Sequence, residues 1–134
     1  MTIVVDASVV VAALVDTGAT GQWAEALLTS GLAAPHLLHV EVANVLRRAV
    51  NANDITDDVA SLAHADLADL RVELVPYEIV GARVWELRTN LTAYDAWYVA
   101  AAELLGAPLA TLDQRLVAAP GPTCNFRTPG DEHP

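Results

Sequence analysis

Four acidic residues stand where they could act together. Asp6 ends the β-branched run Ile3-Val4-Val5, and Asp113 ends the apolar run 109–112. Asp95 opens the most strongly helical stretch of the chain, and Glu41 sits between Val40 and Val42 on a segment of helical period. In an open parallel sheet, ligands bind beyond the carboxyl ends of the strands, which is where Asp6 and Asp113 fall. Several carboxylates without a Lys or an evident nucleophile suit a divalent cation, since hard ions such as Mg²⁺ take carboxylate and water oxygens. Two such ions can clamp the attacking and leaving oxygens of a phosphodiester.

Each acid also has a local role open to it. Asp6 and Asp113 can cap the helical segments that follow them, Asp being a leading cap residue. Thr92-Ala93-Tyr94-Asp95 is close to a capping box. A helical Glu such as Glu41 commonly faces solvent. The roles are compatible, because a capping carboxylate can turn its second oxygen to a metal.

The elements that must position these acids alternate between strand and helix. Residues 2–5 read as a buried strand, followed by a helix over 8–14. A second helix spans 18–29, with Gly31 as its stop, and Pro35 starts the next segment. Leu37, Leu38, Val42, Val45, Leu46 and Ala49 keep a 3.6-residue period as far as about Asn51. Thr56, Asp57 and Asp58 open another helix with a hydroxyl cap and acids at its positive end. A strand over 72–75, a helix over 80–87, a loop over 90–94 and a helix over 96–105 follow. Strand 109–112, a helical turn over 113–118 and an edge strand over 123–126 complete the pattern. The expected class is one α/β domain over 1–134, its ordered core ending near 127 and its tail over 128–134.

Composition removes several alternatives. Apolar residues make up 54 % of the 134 positions, which excludes a disordered chain. The single cysteine, Cys124, forms no intrachain disulfide and reads as a small apolar residue near the last strand. Acids number 17 against 7 basic residues, for a net charge of −10, and every basic residue is Arg. The absence of Lys excludes Walker-type NTPases, Schiff-base enzymes and a phospho-receiver domain. An acidic balance also argues against a plain electrostatic DNA binder, though not against a nuclease whose acids hold metal. The N-terminus has no basic leader and no apolar run of membrane-spanning length, so a soluble cytoplasmic protein is expected.

With these residues in view, the chain resembles the PIN-domain ribonucleases, and most closely the toxin subunits of VapBC toxin–antitoxin systems. The resemblance runs from about Ile3 to Phe126. Val4-Val5-Asp6-Ala7-Ser8 is similar to the family's first motif, and the stretch from Pro35 to Arg48 to its second, carrying Glu41. Leu91-Thr92-Ala93-Tyr94-Asp95-Ala96 is similar to the third, and Thr111-Leu112-Asp113 to the fourth. The resemblance implies a short parallel central sheet flanked by helices and a Mg²⁺- or Mn²⁺-dependent endoribonuclease. It further implies products with a 5′-phosphate and a 3′-hydroxyl, a homodimer, and neutralisation by a cognate antitoxin protein. Asp6, Glu41, Asp95 and Asp113 would be its catalytic metal ligands, supported by Ser8, Asn44 and Thr111.

Lacking Lys, the chain would contact RNA phosphates through Arg47 or Arg48, with Arg115 and Arg88 as weaker candidates. Arg47 and Arg48 equally complement the C-terminal dipole of their helix. His36 and His39 read as capping or surface residues. Trp97, Tyr98, Trp23 and Trp85 read as packing residues. Alternatives to the nuclease are a PIN-fold binding module without catalysis and a metal-dependent phosphohydrolase. The latter would want an Asp where Ser8 stands.

Overall fold

A computed structural model describes residues 1–130; the expected tail residues 131–134 lie outside the described residues. Its centre is β1 (Thr2–Val5), whose Ile3, Val4 and Val5 are buried. An interior parallel strand is covered on both faces, so a continuous β-branched run suits it. Neighbouring β2 (Gly31–Pro35) and β4 (Leu109–Ala110) both run parallel to it. Outside them lie β3 (Glu73–Val75) and β5 (Phe126–Arg127), giving the all-parallel order β3-β2-β1-β4-β5. The chain moves outward from β1 to β2 and β3, then returns to the other side of β1 with β4. The order therefore reverses between β1 and β4, which opens a crevice at their carboxyl ends.

Seven α-helices flank the sheet among the described residues: α1 (Ala7–Val15), α2 (Ala19–Leu27), α3 (Leu38–Asn51), α4 (Asp57–Asp69), α5 (Tyr77–Glu86), α6 (Ala93–Leu105) and α7 (Gln114–Ala118). Helix α6 packs on β1, β2 and β4, and buries Ala96, Tyr98 and the run from Val99 to Ala102. Its small side chains let the helix approach the sheet closely. It ends at Gly106, whose φ of 61° is a left-handed conformation that glycine adopts without a Cβ penalty. Helices α1 and α2 meet so tightly that a Cβ on Gly21 would lie 1.8 Å from the Asp16 carbonyl oxygen.

Several expectations need correction. Residues 31–35 form a strand, not a helix stop and a helix start. Flanked by Gly and Pro and built on Ala33 and Ala34, the segment lacks β-branched side chains; its burial beside β1 makes it a strand. Strand β4 stops at Ala110 instead of 112, where the Thr111 side chain turns to the site. Strand β5 covers Phe126–Arg127 rather than 123–126. Thr128 is buried, so packing continues one residue past the expected core.

Candidate active site

The topology brings the four acids together from four different elements. Asp6 follows β1 and caps α1, its Oδ1 accepting the Val9 N–H at 3.1 Å. Asp113 follows β4 and caps α7, its Oδ1 accepting from Arg115 N at 3.0 Å and Leu116 N at 3.4 Å. Asp95 lies in the first turn of α6; here Thr92 is the cap, its Oγ1 accepting from Asp95 N at 3.2 Å. Glu41 comes from the first turn of α3, after β2. Cap and site roles thus coincide at Asp6 and Asp113.

A closed set of hydrogen bonds fixes Asp6. Ser8 Oγ donates to Asp6 Oδ1 at 2.6 Å and accepts from Leu112 N at 3.1 Å. Thr111 Oγ1 donates to Asp6 Oδ2 and accepts from Asp113 N at 3.0 Å. Two hydroxyls therefore tie the carboxylate after β1 to the backbone after β4. Asn44 does not join this set: its Oδ1 accepts from Arg47 Nε at 3.2 Å, at the exposed face of α3.

Electrostatics shows which acids sense one another. Burial raises the Asp6 carboxyl above its ordinary range; hydrogen bonds from Ser8, Thr111 and Val9 oppose this, and the charge of Asp95 adds to it. Glu41 is raised by burial and then by Asp95 and Asp6, against the Tyr98 phenol. Asp95 is raised by burial and by Asp113. Asp95 is thus the hub, within electrostatic reach of the other three acids. Each raised value says that the charged form wants a counter-charge.

Glu41 Oε1 and the Tyr98 hydroxyl are both buried without a well-formed hydrogen bond. The phenol lies near enough that it and the carboxyl shift one another, and burial followed by Glu41 drives the Tyr98 pKa upward. Tyr98 is a packing residue as expected, but its hydroxyl faces the site. The alternation of apolar positions along α6 hides that polar tip.

Among the described residues, no three His, Cys, Asp or Glu side chains already stand in metal-chelating geometry. The donor set nevertheless fits a hard divalent cation: its charged groups are all carboxylates, three resist ionisation, and Glu41 Oε1 lacks a partner.

Two hollows open beside the acids. One, of about 220 Å³, is lined by Asn90, Thr92, Asp95, Asp113 and Arg115 among others. The second, of about 430 Å³, is lined by Val40, Glu41, Asn44, Arg48 and Tyr94. Arg115 thus lies beside Asp95 and Asp113, and Arg48 beside Glu41, while Arg47 is turned to Asn44. Arg88 stacks its guanidinium 4.4 Å over the Trp85 ring and donates to the Trp85 carbonyl, away from both hollows. Trp85 is 65 % exposed, which corrects its reading as a core residue; Trp23 and Trp97 are half-buried. Helix α3 begins after Leu37 with no side-chain cap, so neither His36 nor His39 caps it. Burial, and then the nearby Glu103 charge, pushes the Cys124 thiol up to about 11.

A parallel sheet with this reversal, and acids at its crevice, is the architecture of a doubly wound α/β domain, and the family match makes it a PIN-type one. The PIN domain family model matches residues 3–122. Ribonuclease VapC1 of Mycobacterium tuberculosis is 43 % identical over 126 residues, covering 92 % of this chain and 95 % of that protein. Among solved structures, PAE2754 from Pyrobaculum aerophilum superposes with a TM-score of 0.68 at 26 % identity, covering 94 % of this chain and 83 % of the other. VapBC2 from Rickettsia felis, bound to a DNA fragment from its promoter, gives a TM-score of 0.66 at 14 % identity, covering 96 % and 98 %. The chain belongs to the PIN-domain family and, within it, to the VapC ribonucleases.

Proposed function

We propose that the chain is a metal-dependent endoribonuclease, the toxin of a toxin–antitoxin pair, with Asp6, Glu41, Asp95 and Asp113 as its catalytic carboxylates. The observation that carries this is Asp95's electrostatic reach to the other three acids around one crevice. Those four side chains would hold Mg²⁺ or Mn²⁺. When bound, the cation would neutralise charge on the scissile phosphate and activate the attacking water. Ser8 and Thr111 keep both oxygens of Asp6 fixed, so that the carboxylate does not have to reorganise on binding. Arg48 and Arg115 would receive phosphates on either side of the cut.

The partners follow from the same surface. Val59 and Leu62 are exposed together on one face of α4. An apolar antitoxin segment would cover them, and an antitoxin Arg reaching the acidic crevice would exclude the cation. Exposed Ile79 and Trp85 on α5 suit a homodimer contact. No helix among the described residues is long and apolar enough to cross a membrane; a cytoplasmic site of action is proposed with the toxin role.

The test is cleavage of cellular RNA by the purified chain with and without Mg²⁺ or Mn²⁺, read by sequencing of new 5′ ends. Cleavage that needs the ion and is lost in Asp95→Asn supports the reading. RNA binding with no cleavage under any divalent ion would make the chain a binding module instead.

A further inference from the structure

Tyr94 directly precedes Asp95, yet it is 64 % exposed and makes no contribution to the core. Its ring is shared by two hollows. On one side is the hollow that also holds Glu41 and Arg48. On the other is an apolar hollow of about 260 Å³ lined by Leu37, Tyr77, Ala93, Tyr94 and Trp97. The second hollow is rigid at its back wall: Tyr77 meets Trp97 edge-on, with ring centroids 5.4 Å apart at 87°, and Trp97 Nε1 donates to the Val75 carbonyl at 3.2 Å. Tyr94 therefore joins the hollow of Glu41 and Arg48 to an aromatic recess, and the next residue in the chain, Asp95, lines the hollow that holds Asp113 and Arg115.

We propose that this recess is a base-stacking subsite, in which Tyr94 and the Tyr77–Trp97 wall take one unpaired nucleobase of single-stranded RNA next to the phosphate at the carboxylates. The inference rests on the nuclease reading and adds to it a residue that selects unpaired substrate. The occupant is chosen by continuity: the recess shares a wall with the site, and Arg48 at the junction matches a backbone phosphate. Stacking fits an apolar recess because each base presents a π-face regardless of its hydrogen-bonding edge. The recess offers few polar groups to read a base edge, so its preference is for stacking strength, purine over pyrimidine. A base paired in a duplex cannot enter it.

The experiment uses the full chain carrying Asp6→Asn, which the proposed function expects to hold RNA without cutting it, and fluorescein-labelled single-stranded oligonucleotides, one purine-rich and one pyrimidine-rich. Anisotropy titration should show Tyr94→Ala weakening binding about tenfold, with Tyr94→Phe retaining it, as expected for loss of one stacked base. The loss should be greater for the purine-rich strand. Sedimentation of the same variants should show an unchanged oligomeric state, and circular dichroism an unchanged fold. Undiminished binding by Tyr94→Ala overturns the proposal. A shift to a smaller species assigns the recess to a second copy of the chain and overturns it too. The wild-type chain with Mg²⁺ is the separate control: if it cuts no RNA, the nuclease reading fails, whereas cleavage with undiminished Tyr94→Ala binding removes only the subsite.

Discussion

Thr111 donates its hydroxyl to Asp6 Oδ2 across a separation of 105 positions in sequence, and the same oxygen accepts the Asp113 N–H. One buried hydroxyl thus fixes the acid after β1 and the backbone that presents the acid after β4.

Replacing Thr111 with Val keeps the shape and removes the hydroxyl. It leaves a buried carboxylate oxygen and a backbone N–H without partners, at a cost of about 1–3 kcal/mol. Urea unfolding should show the unfolding free energy fall by that amount, and Thr111→Ser should recover most of it. An unchanged free energy would mean that this network does not hold Asp6.

Asp95→Asn and Glu41→Gln each remove one charge from a set that resists ionisation. Both should match or exceed the wild type in thermal stability without divalent ions, while losing cleavage. Asp6→Asn is different, because its amide would face the Thr111 hydroxyl with a donor. It should lose both cleavage and stability, by about 1–2 kcal/mol. Differential scanning calorimetry of the three variants separates these outcomes.

Acidity should stabilise the metal-free chain over a defined range. Asp6, Glu41 and Asp95 all titrate above their ordinary values in the folded state. The folded chain therefore takes up protons before the unfolded chain does as pH falls. The resulting stability is fully present below the ordinary carboxylate range, about pH 4, and is lost as pH rises through the raised folded values. The unfolding midpoint should climb on acidification from neutrality towards that range, and the climb should shrink in Asp95→Asn. A midpoint that falls steadily over the same interval would contradict the shared crevice.

Divalent ions should reverse that behaviour. A cation that binds only the folded state adds RT ln(1 + [L]/Kd), about 2.7 kcal/mol at a hundredfold excess over Kd. The gain should grow with pH as the acids ionise, and it should vanish in the Asp6→Asn, Asp113→Asn double variant. Thermal shift with Mg²⁺ and Mn²⁺ measures it, and a wild-type midpoint indifferent to both ions would sink the metal assignment.

Away from the crevice, Arg83 joins α5 to α6 and to the chain leading into β5. Its Nε donates to Glu103 Oε1 at 2.6 Å, and its Nη2 donates to Glu103 Oε2 at 3.2 Å and to the Gly121 carbonyl at 2.9 Å. Thr123 N also donates to Glu103 Oε2, at 2.8 Å. Burial pushes Glu103 up, yet these bonds outweigh it and hold the carboxyl below its usual range. Arg83→Ala should cost about 1 kcal/mol, since the guanidinium is part-exposed. Faster amide exchange at Thr123 would locate the loss.

The acids were legible because each sits at a boundary between elements, where a strand ends or a helix begins. Position relative to an element boundary can be read from a linear pattern. The parallel class was legible from β1, whose β-branched run suits a strand covered on both faces. Strand β2 was not, because its identity comes from pairing with β1 and not from Ala33 and Ala34 themselves. The Tyr98 hydroxyl and the exposed Tyr94 ring were hidden for a related reason. Side chains on one helix share a sequence pattern, but whether a ring ends in the core, at the site or in solvent depends on what α6 packs against. Asn44 shares a face with Glu41 by spacing, and the long Arg47 side chain claimed its oxygen first.

The contact between positions 6 and 111 also sets an order of events during synthesis. Asp6 is made well before Asp113, and elongation at about 5–20 residues per second over the intervening chain separates them by roughly 5–20 s. Throughout that interval the nascent chain has β1 without the neighbour that completes the crevice. Any product truncated before β4 lacks Thr111 and Asp113 altogether. With Asp113 among the proposed catalytic carboxylates, such a fragment would be inert, and a destructive activity would arise only once the ribosome has passed β4.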